Sequence, residues 1–377
     1  MKKKNIAIIP LATAFATASV FADTYIMKGN GYAEDQYFYN ANNWYYTTEN
    51  VNVNPLWIER PALDTTNNTG TYKVDSTVNF TFSNATSFAP TVNDDVFYTF
   101  TKVNGTNVNQ LSTTYLNSGF SAFNFAIRPE GSATMRLAST ETESNFSINI
   151  TGALTITGAW DVKIKIDDGD ETNKYSIRAG SLYLTSANSV DFGDTNRAFD
   201  DITIADGTIS TEGGANNTTT TRFYAKQVNF GGTYSMGLKH GQGKTTTTEM
   251  YFTDLVANSE TAAFNVGGEI QLDQDVENSL QDIFILDFGN SGITDESNGI
   301  FNLVYAEEGY TGFDTENANL VYGFTIKNLN LTEGNYEFIM NDNMLQLAVG
   351  SAVPEPATVA GIAGLLALAF AAYRRRK

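Results

Sequence analysis

The stretch Gly152-Ala153-Leu154-Thr155-Ile156-Thr157-Gly158, followed by Val162-Lys163-Ile164-Lys165-Ile166 and then Gly180-Ser181-Leu182-Tyr183-Leu184-Thr185, decides the fold class of this chain. Apolar and polar residues alternate with period two, so one side of each run is apolar, as in a half-buried strand. Gly, Asn, Asp or Ser bounds the runs, and glycine among them weakens a strand interior and favours turns and bends. The same alternation recurs outward in both directions. Upstream it appears in Val78-Asn79-Phe80-Thr81-Phe82, Val96-Phe97-Tyr98-Thr99-Phe100, Phe123-Asn124-Phe125-Ala126-Ile127 and Phe146-Ser147-Ile148-Asn149-Ile150; downstream it appears in Asp201-Ile202-Thr203-Ile204, Gly207-Thr208-Ile209-Ser210 and Gly268-Glu269-Ile270-Gln271-Leu272. Helix-period apolar stripes are confined to the two ends, so the body is all-β.

Strand starts fall roughly 8–12 residues apart, grouped by two or three into units of roughly 20–30 residues. That cadence predicts an elongated parallel β-helix or solenoid-like body, in which each coil buries its inward residues on the next. Antiparallel β-sandwich domains are the alternative with the same spacing. The expected organisation is an aromatic- and Asn-rich N-terminal β region over residues 23–130, a solenoid-like body over 131–290 and a C-terminal β cap over 291–350. In the cap, Asn341-Asp342-Asn343 separates two alternating runs and predicts a hairpin. Closing the last coil this way protects its unpaired edge and apolar surface. Trp44 and its aromatic neighbours are expected to plug the other end, and an exposed Tyr/Trp cluster able to stack on sugar rings is the competing reading. The threonine runs Thr218–Thr221 and Thr245–Thr248 read as loop or exposed ladder. Asn42-Asn43-Trp44 and the strand cadence resemble autotransporter and adhesin passenger domains, which implies a β-helical, surface-directed body.

Composition narrows the chemistry. Cysteine is absent, so disulfides, thiol catalysis and cysteine metal sites are excluded. His240 is the single histidine. It lies in the glycine- and lysine-rich segment 237–244, which reads as a loop, and it rules out a two-histidine metal site. The whole chain carries −19; without the cations at its two ends and Glu355, residues 23–352 carry about −25. Such a field argues against nucleic acid and anionic lipid as partners, because phosphate contacts rely on Lys and Arg.

Both ends carry targeting signals. Lys2-Lys3-Lys4, the apolar run from Ile6 to Val20 and the compact Val20-Phe21-Ala22 predict a signal peptide over residues 1–22, cut by signal peptidase between Ala22 and Asp23. At the other end stand Pro354-Glu355-Pro356, an uncharged apolar run that reads as a transmembrane helix, and Arg374-Arg375-Arg376-Lys377. The prolines keep their segment extended. The apolar run spans roughly 25 Å as a helix, at the short end for a bilayer, and the cations hold the end on the cytoplasmic side. This order of elements over 353–377 resembles the PEP-CTERM sorting signal of Gram-negative bacteria. The resemblance implies recognition at Pro354, Glu355 and Pro356 by an exosortase-like membrane enzyme that removes the helix. The precursor would be anchored in the inner membrane, and the product would sit at the cell surface, in the outer membrane or in the extracellular matrix.

No catalytic motif stands out, and no cofactor is required. The densest acidic group, Asp167-Asp168-Gly169-Asp170-Glu171, falls in a turn between strands. Its Asp167, Asp168 and Asp170 are a candidate cation site, for calcium, although the spacing is not that of an EF-hand and a solvated acidic turn is the favoured reading. Lys163, Lys165 and Arg178 stand near acids, as a polysaccharide lyase would need, but no motif frames them. The expected function is that of a structural or adhesin-like exported protein that is not an enzyme. Its partners beyond the processing enzymes would be a surface polysaccharide or host glycan. A carbohydrate-active or glycan-binding β-helix, a lyase or hydrolase among them, is the alternative. A groove with converging acids and cations would point to the alternative.

Overall fold

Alternating residues commit the chain to sheets, and the direction of pairing then decides which sheets. The computed structural model describes residues 23–27, 37–48, 63–64, 69–75, 78–99, 113–128, 132–157, 160–185, 189–205, 209–212, 218–236, 245–272, 274–275 and 280–350. The signal segment with Ala22, the segment with His240, and the tail with Pro354, Glu355, Pro356 and Arg374, Arg375, Arg376 and Lys377 lie outside the described residues. So do both expected terminal helices. Among the described residues the protein is all-β with parallel sheets, and the one helical element is a 3₁₀ turn at Ala41–Asn43.

One sheet has eight strands, taken in chain order: Thr113–Leu116, Ala133–Leu137, Val162–Ile166, Ser189–Phe192, Thr218–Ala225, Thr245–Thr253, Ile283–Asn290 and Thr325–Lys327. Every neighbouring pair in it is parallel. Between successive strands of this sheet the chain crosses to a larger one and lays down another parallel strand there. Asp95–Thr99, Asn124–Arg128, Asn145–Thr157, Lys174–Thr185, Asp201–Ile204, Val228–Phe230, Phe264–Val266 and Gly299–Ala306 follow in that order. This winding is consistent with a solenoid, and the antiparallel sandwich is not what forms. Parallel pairing runs unbroken across positions 130/131 and 290/291.

The register explains the alternation. Ile148, Ile177, Ile202, Val228, Phe264 and Val304 stack as one inward column, and each is at most 1% exposed. In the eight-stranded sheet Met135, Ile164, Phe192, Phe223, Met250 and Leu286 form the facing column. Phe192 and Phe223 stack there at 5.4 Å with nearly parallel rings. Each buried side chain of this size contributes about 1.5–3 kcal/mol, so the columns are the main stabilising term.

Two elements differ from the sequence reading. The runs on either side of Gly152 are one strand, Asn145–Thr157, whose pairing slips between Ile150 and Ala153. A Cβ at Gly152 would lie 2.6 Å from Asn124 Oδ1, and one at Gly180 in the next coil 2.5 Å from the Thr151 carbonyl. The glycines mark a bend where successive coils nearly touch, rather than strand ends. The threonine runs are also strands, Thr218–Ala225 and Thr245–Thr253, paired threonine to threonine. Thr219, Thr221, Thr246 and Thr248 are fully buried, not exposed. Parallel in-register pairing puts identical β-branched residues above one another, and that packing overrides their polarity.

Strand direction reverses at the two ends. Thr24–Met27 pairs antiparallel with Trp44–Thr47, beside an aromatic cluster in which Trp44 stacks on Phe88 at 4.1 Å. Trp44 and Phe38 are fully buried, and the Trp44 indole N–H donates to the Phe38 carbonyl (2.7 Å). The aromatic plug is therefore what forms around Trp44. At the other end Tyr336–Asn341 and Met344–Val349 make a hairpin that pairs antiparallel with Gly299–Ala306. Its two loop residues, Asp342 and Asn343, have φ of 47° and 62°, the geometry of a type I′ turn.

Candidate functional site

The outward residues of the larger sheet form an open groove of about 990 Å³. Register builds it: Asn145, Ser147 and Asn149 lie beside Lys174, Ser176 and Arg178 on the next strand, and Ser121 lies beside Asn149. Period two places Lys174, Ser176 and Arg178 on one face, outside the buried Tyr175 and Ile177. Four residues of strand separate the two cations by roughly 13 Å along the groove. Asp200 and Asp201 close one side, and Tyr39 with Pro90 the other. The Tyr39 hydroxyl is held by the carbonyls of Ser118 and Gly119 (2.9 and 2.8 Å), and burial pushes its phenol up.

Both acids of the groove are occupied. Asp200 pairs with Lys226 (3.0 Å) and accepts the Tyr175 backbone N–H (2.9 Å). Asp201 accepts the Thr203 hydroxyl (2.9 Å) and the Asn229 amide (3.1 Å). The two groove cations differ from the acids. Among the described residues Arg136, Lys163, Lys165, Arg222, Lys226 and Lys327 all pair with carboxylates. Arg197 is held by the carbonyls of Asp170 and Asn173 and lies over the Tyr175 ring. Lys174 and Arg178 are exposed and form no such contact.

In the acidic turn the carboxylates already have protein donors. Asp167 pairs with Arg136 (2.6 Å). Asp168 accepts the Tyr175 hydroxyl, the Asn173 amide (2.7 Å) and the Asp170 N–H (2.9 Å). Asp170 accepts the Thr172 hydroxyl and N–H (2.7 and 2.9 Å). Burial alone would raise the Asp168 carboxyl, but Tyr175, Asp170 and Asn173 donate to its charged form and hold it below the usual carboxylate range. Burial and Asp168 together push the Tyr175 phenol well up. Among the described residues no group of three acids or histidines is placed to hold a metal ion. Asp167, Asp168 and Asp170 thus each accept from protein donors.

Lys163 and Lys165 lie on the eight-stranded sheet and Arg178 on the larger one, so the three lyase candidates do not share a face. Lys163, Asp191, Arg222 and Glu249 are register partners on the eight-stranded sheet and alternate in charge. Arg222 binds Asp191 (2.9 Å) and Glu249 (3.1 Å), and Lys327 reaches Glu249 (2.8 Å). Burial would lower the Arg222 guanidinium, and its two carboxylate partners raise it instead.

Sequence reasoning singled out Arg178 but missed Lys174, Ser147 and Ser176 as its neighbours. The signal was the outward phase of Lys174-Tyr175-Ser176-Ile177-Arg178, and it carries meaning only once the register is known. No protein family, no curated protein and no solved structure matches the chain.

Proposed function

We propose that this chain is an exported, non-catalytic β-protein of the cell surface or extracellular matrix, structural or adhesive, that engages a surface polysaccharide or host glycan. In this reading the parallel stack is an elongated β-helix closed by its terminal hairpin. The observation that carries it is the open groove between Tyr39 and Asp201. A small-molecule pocket is enclosed, whereas this face is open and offers hydroxyls, amides and cations along several strands, as an extended polymer requires. The engagement of Asp200 and Asp201 favours binding over hydrolysis, because glycosidases need an acid and a base free to face the sugar bond.

Export is proposed on the sequence signals: cleavage by signal peptidase at Ala22–Asp23, transient anchoring through the C-terminal helix, and release by an exosortase-like enzyme at Pro354-Glu355-Pro356. Two measurements test the proposal together. The intact mass from fractionated cells should run from Asp23 to the Pro354–Thr358 region, in the outer or released fraction. The same material should be retained on glycan-bearing gels without shortening the polymer. A full-length species in the inner membrane would remove surface display, and turnover of a polysaccharide would replace binding with the lyase or hydrolase reading.

A further inference from the structure

We infer that the groove is selective for an acidic polysaccharide, with Lys174 and Arg178 as its two anion-binding positions; this rests on the glycan-binding reading and names its ligand class. The chain has 42 acids against 23 Lys and Arg, so partners for cations are abundant. Every other described cation with a described side chain has taken one or is held by carbonyls and an aromatic ring, and only these two stand free. They project from one strand on the same face, roughly 13 Å apart. The polar row between and beside them, Ser147, Ser176 and Asn149, provides neutral donors and acceptors for ring hydroxyls.

The acids of the groove leave its cations available. The lining holds Lys174 and Arg178 with Asp200 and Asp201, and the two acids are already satisfied by Lys226, Tyr175, Thr203 and Asn229. A bound carboxylate therefore displaces no existing ion pair. A guanidinium and an ammonium at these positions recognise different geometries, the guanidinium binding a planar carboxylate through two parallel N–H groups and the ammonium acting as a point charge. The acidic body opposes a polyanion in general, but at physiological salt any charge farther than about 8 Å from the groove is largely screened, so contact depends on the two cations that stand in it.

The test is affinity electrophoresis of the exported protein in gels containing alginate, a polyuronate, or neutral dextran, with chelator present to prevent calcium bridging. Wild-type protein is expected to be retarded by alginate, and K174Q/R178Q to lose roughly 10- to 100-fold in affinity. The variant K174R/R178K, which keeps both charges, should stay within a few-fold of wild type, and circular dichroism melts of both variants report on folding. Alginate retention unchanged in K174Q/R178Q, or equal retention by dextran and alginate, would overturn the acidic selectivity while leaving glycan binding in place. Retention by neither polymer would remove the glycan-binding reading and this inference with it. Loss in K174R/R178K as great as in K174Q/R178Q, with both folded, would also overturn it, because charge would not be the determinant.

Discussion

Asp95 opens the strand Asp95–Thr99 and is 6% exposed. Burial pushes its carboxyl up to about 6, against the amide of Asn124, which donates to it at 2.9 Å, and with added repulsion from Asp94. The sign follows from linkage. A carboxyl raised on folding contributes stability that is fully present below its unfolded value of about 3.9 and is lost as pH rises through about 6. A rise of about two units at 1.36 kcal/mol each places roughly 3 kcal/mol against the ionised form. Asp95→Asn removes the charge and keeps an oxygen for Asn124. In the chain still extended beyond residue 22, the variant should be about 2–3 kcal/mol more stable than wild type at pH 7. That advantage should shrink through pH 6 to 4 and vanish at pH 4. Urea unfolding at five pH values gives the difference, and hydrogen exchange at residues 95–99 localises it, since stacked coils open in parts. Equal stability at pH 7, or a difference that does not change with pH, would refute the reasoning. The Asp23 N–H donates to Asp94 Oδ1 at 3.0 Å. Cleavage there would create an ammonium beside both acids, so in the processed protein the same window should move to lower pH.

Arg222→Ala strips two charge-assisted bonds from Asp191 and Glu249, whose side chains are 9% and 5% exposed, and should cost about 2–4 kcal/mol in denaturant unfolding. The triple change Asp191→Asn, Arg222→Met and Glu249→Gln should cost far less, because it leaves no buried charge unpaired. Asn343→Ala keeps a Cβ at positive φ but removes the short polar side chain that makes this geometry tolerable, together with its donation to the Glu307 carbonyl (3.3 Å), and should cost about 1–2 kcal/mol, read as faster hydrogen exchange across 336–349; Asn343→Gly, which relieves the Cβ, should cost less than about 1 kcal/mol. Alginate retention should peak at intermediate salt. At about 0.01 M the 30 Å screening length lets the acidic body repel the polymer, and at about 1 M the contacts at Lys174 and Arg178 are themselves screened.

The fold was legible where a residue's own neighbours decide its geometry. Period-two alternation gave the strands, and Asn341-Asp342-Asn343 gave the hairpin, because Asn and Asp tolerate positive φ. Gly152 was misread because a bend inside a strand and a strand end both call for glycine; only the approach of Asn124 and Phe123 from the previous coil tells them apart. Thr218–Thr221 and Thr245–Thr248 misled for a similar reason. Their hydroxyls suggest exposure, and what buries them is the partner strand one coil away. The groove was least legible. Tyr39, Ser121, Ser147, Arg178 and Asp201 are distant in sequence and meet only through register. In the acidic turn the adjacency of the carboxylates was legible, while the donors that they accept from, Arg136, Asn173 and Tyr175, come from strands and turns around it and were not.

Charge availability then separates the two outer faces as places to bind. On the eight-stranded sheet a ligand anion at Arg222 must displace Asp191 or Glu249, stranding a nearly buried carboxylate at a cost of about 1–3 kcal/mol or more before any contact is gained. A ligand cation there must compete with Arg222 and Lys327 for Glu249. On the larger sheet Lys174 and Arg178 lose only water. Parallel pairing propagates this difference from strand to strand, since each new strand sets one outward residue beside the previous one and a charge can find its partner on the adjacent strand. The ladder from Lys163 to Glu249 satisfies that rule at every step. At Lys174 and Arg178 the register partners are Asn145, Asn149 and Thr203, and the acid of the next rung, Asp201, stands beside Ser176 and is held by Thr203 and Asn229, so the charge alternation of the eight-stranded sheet is not repeated where the groove is open.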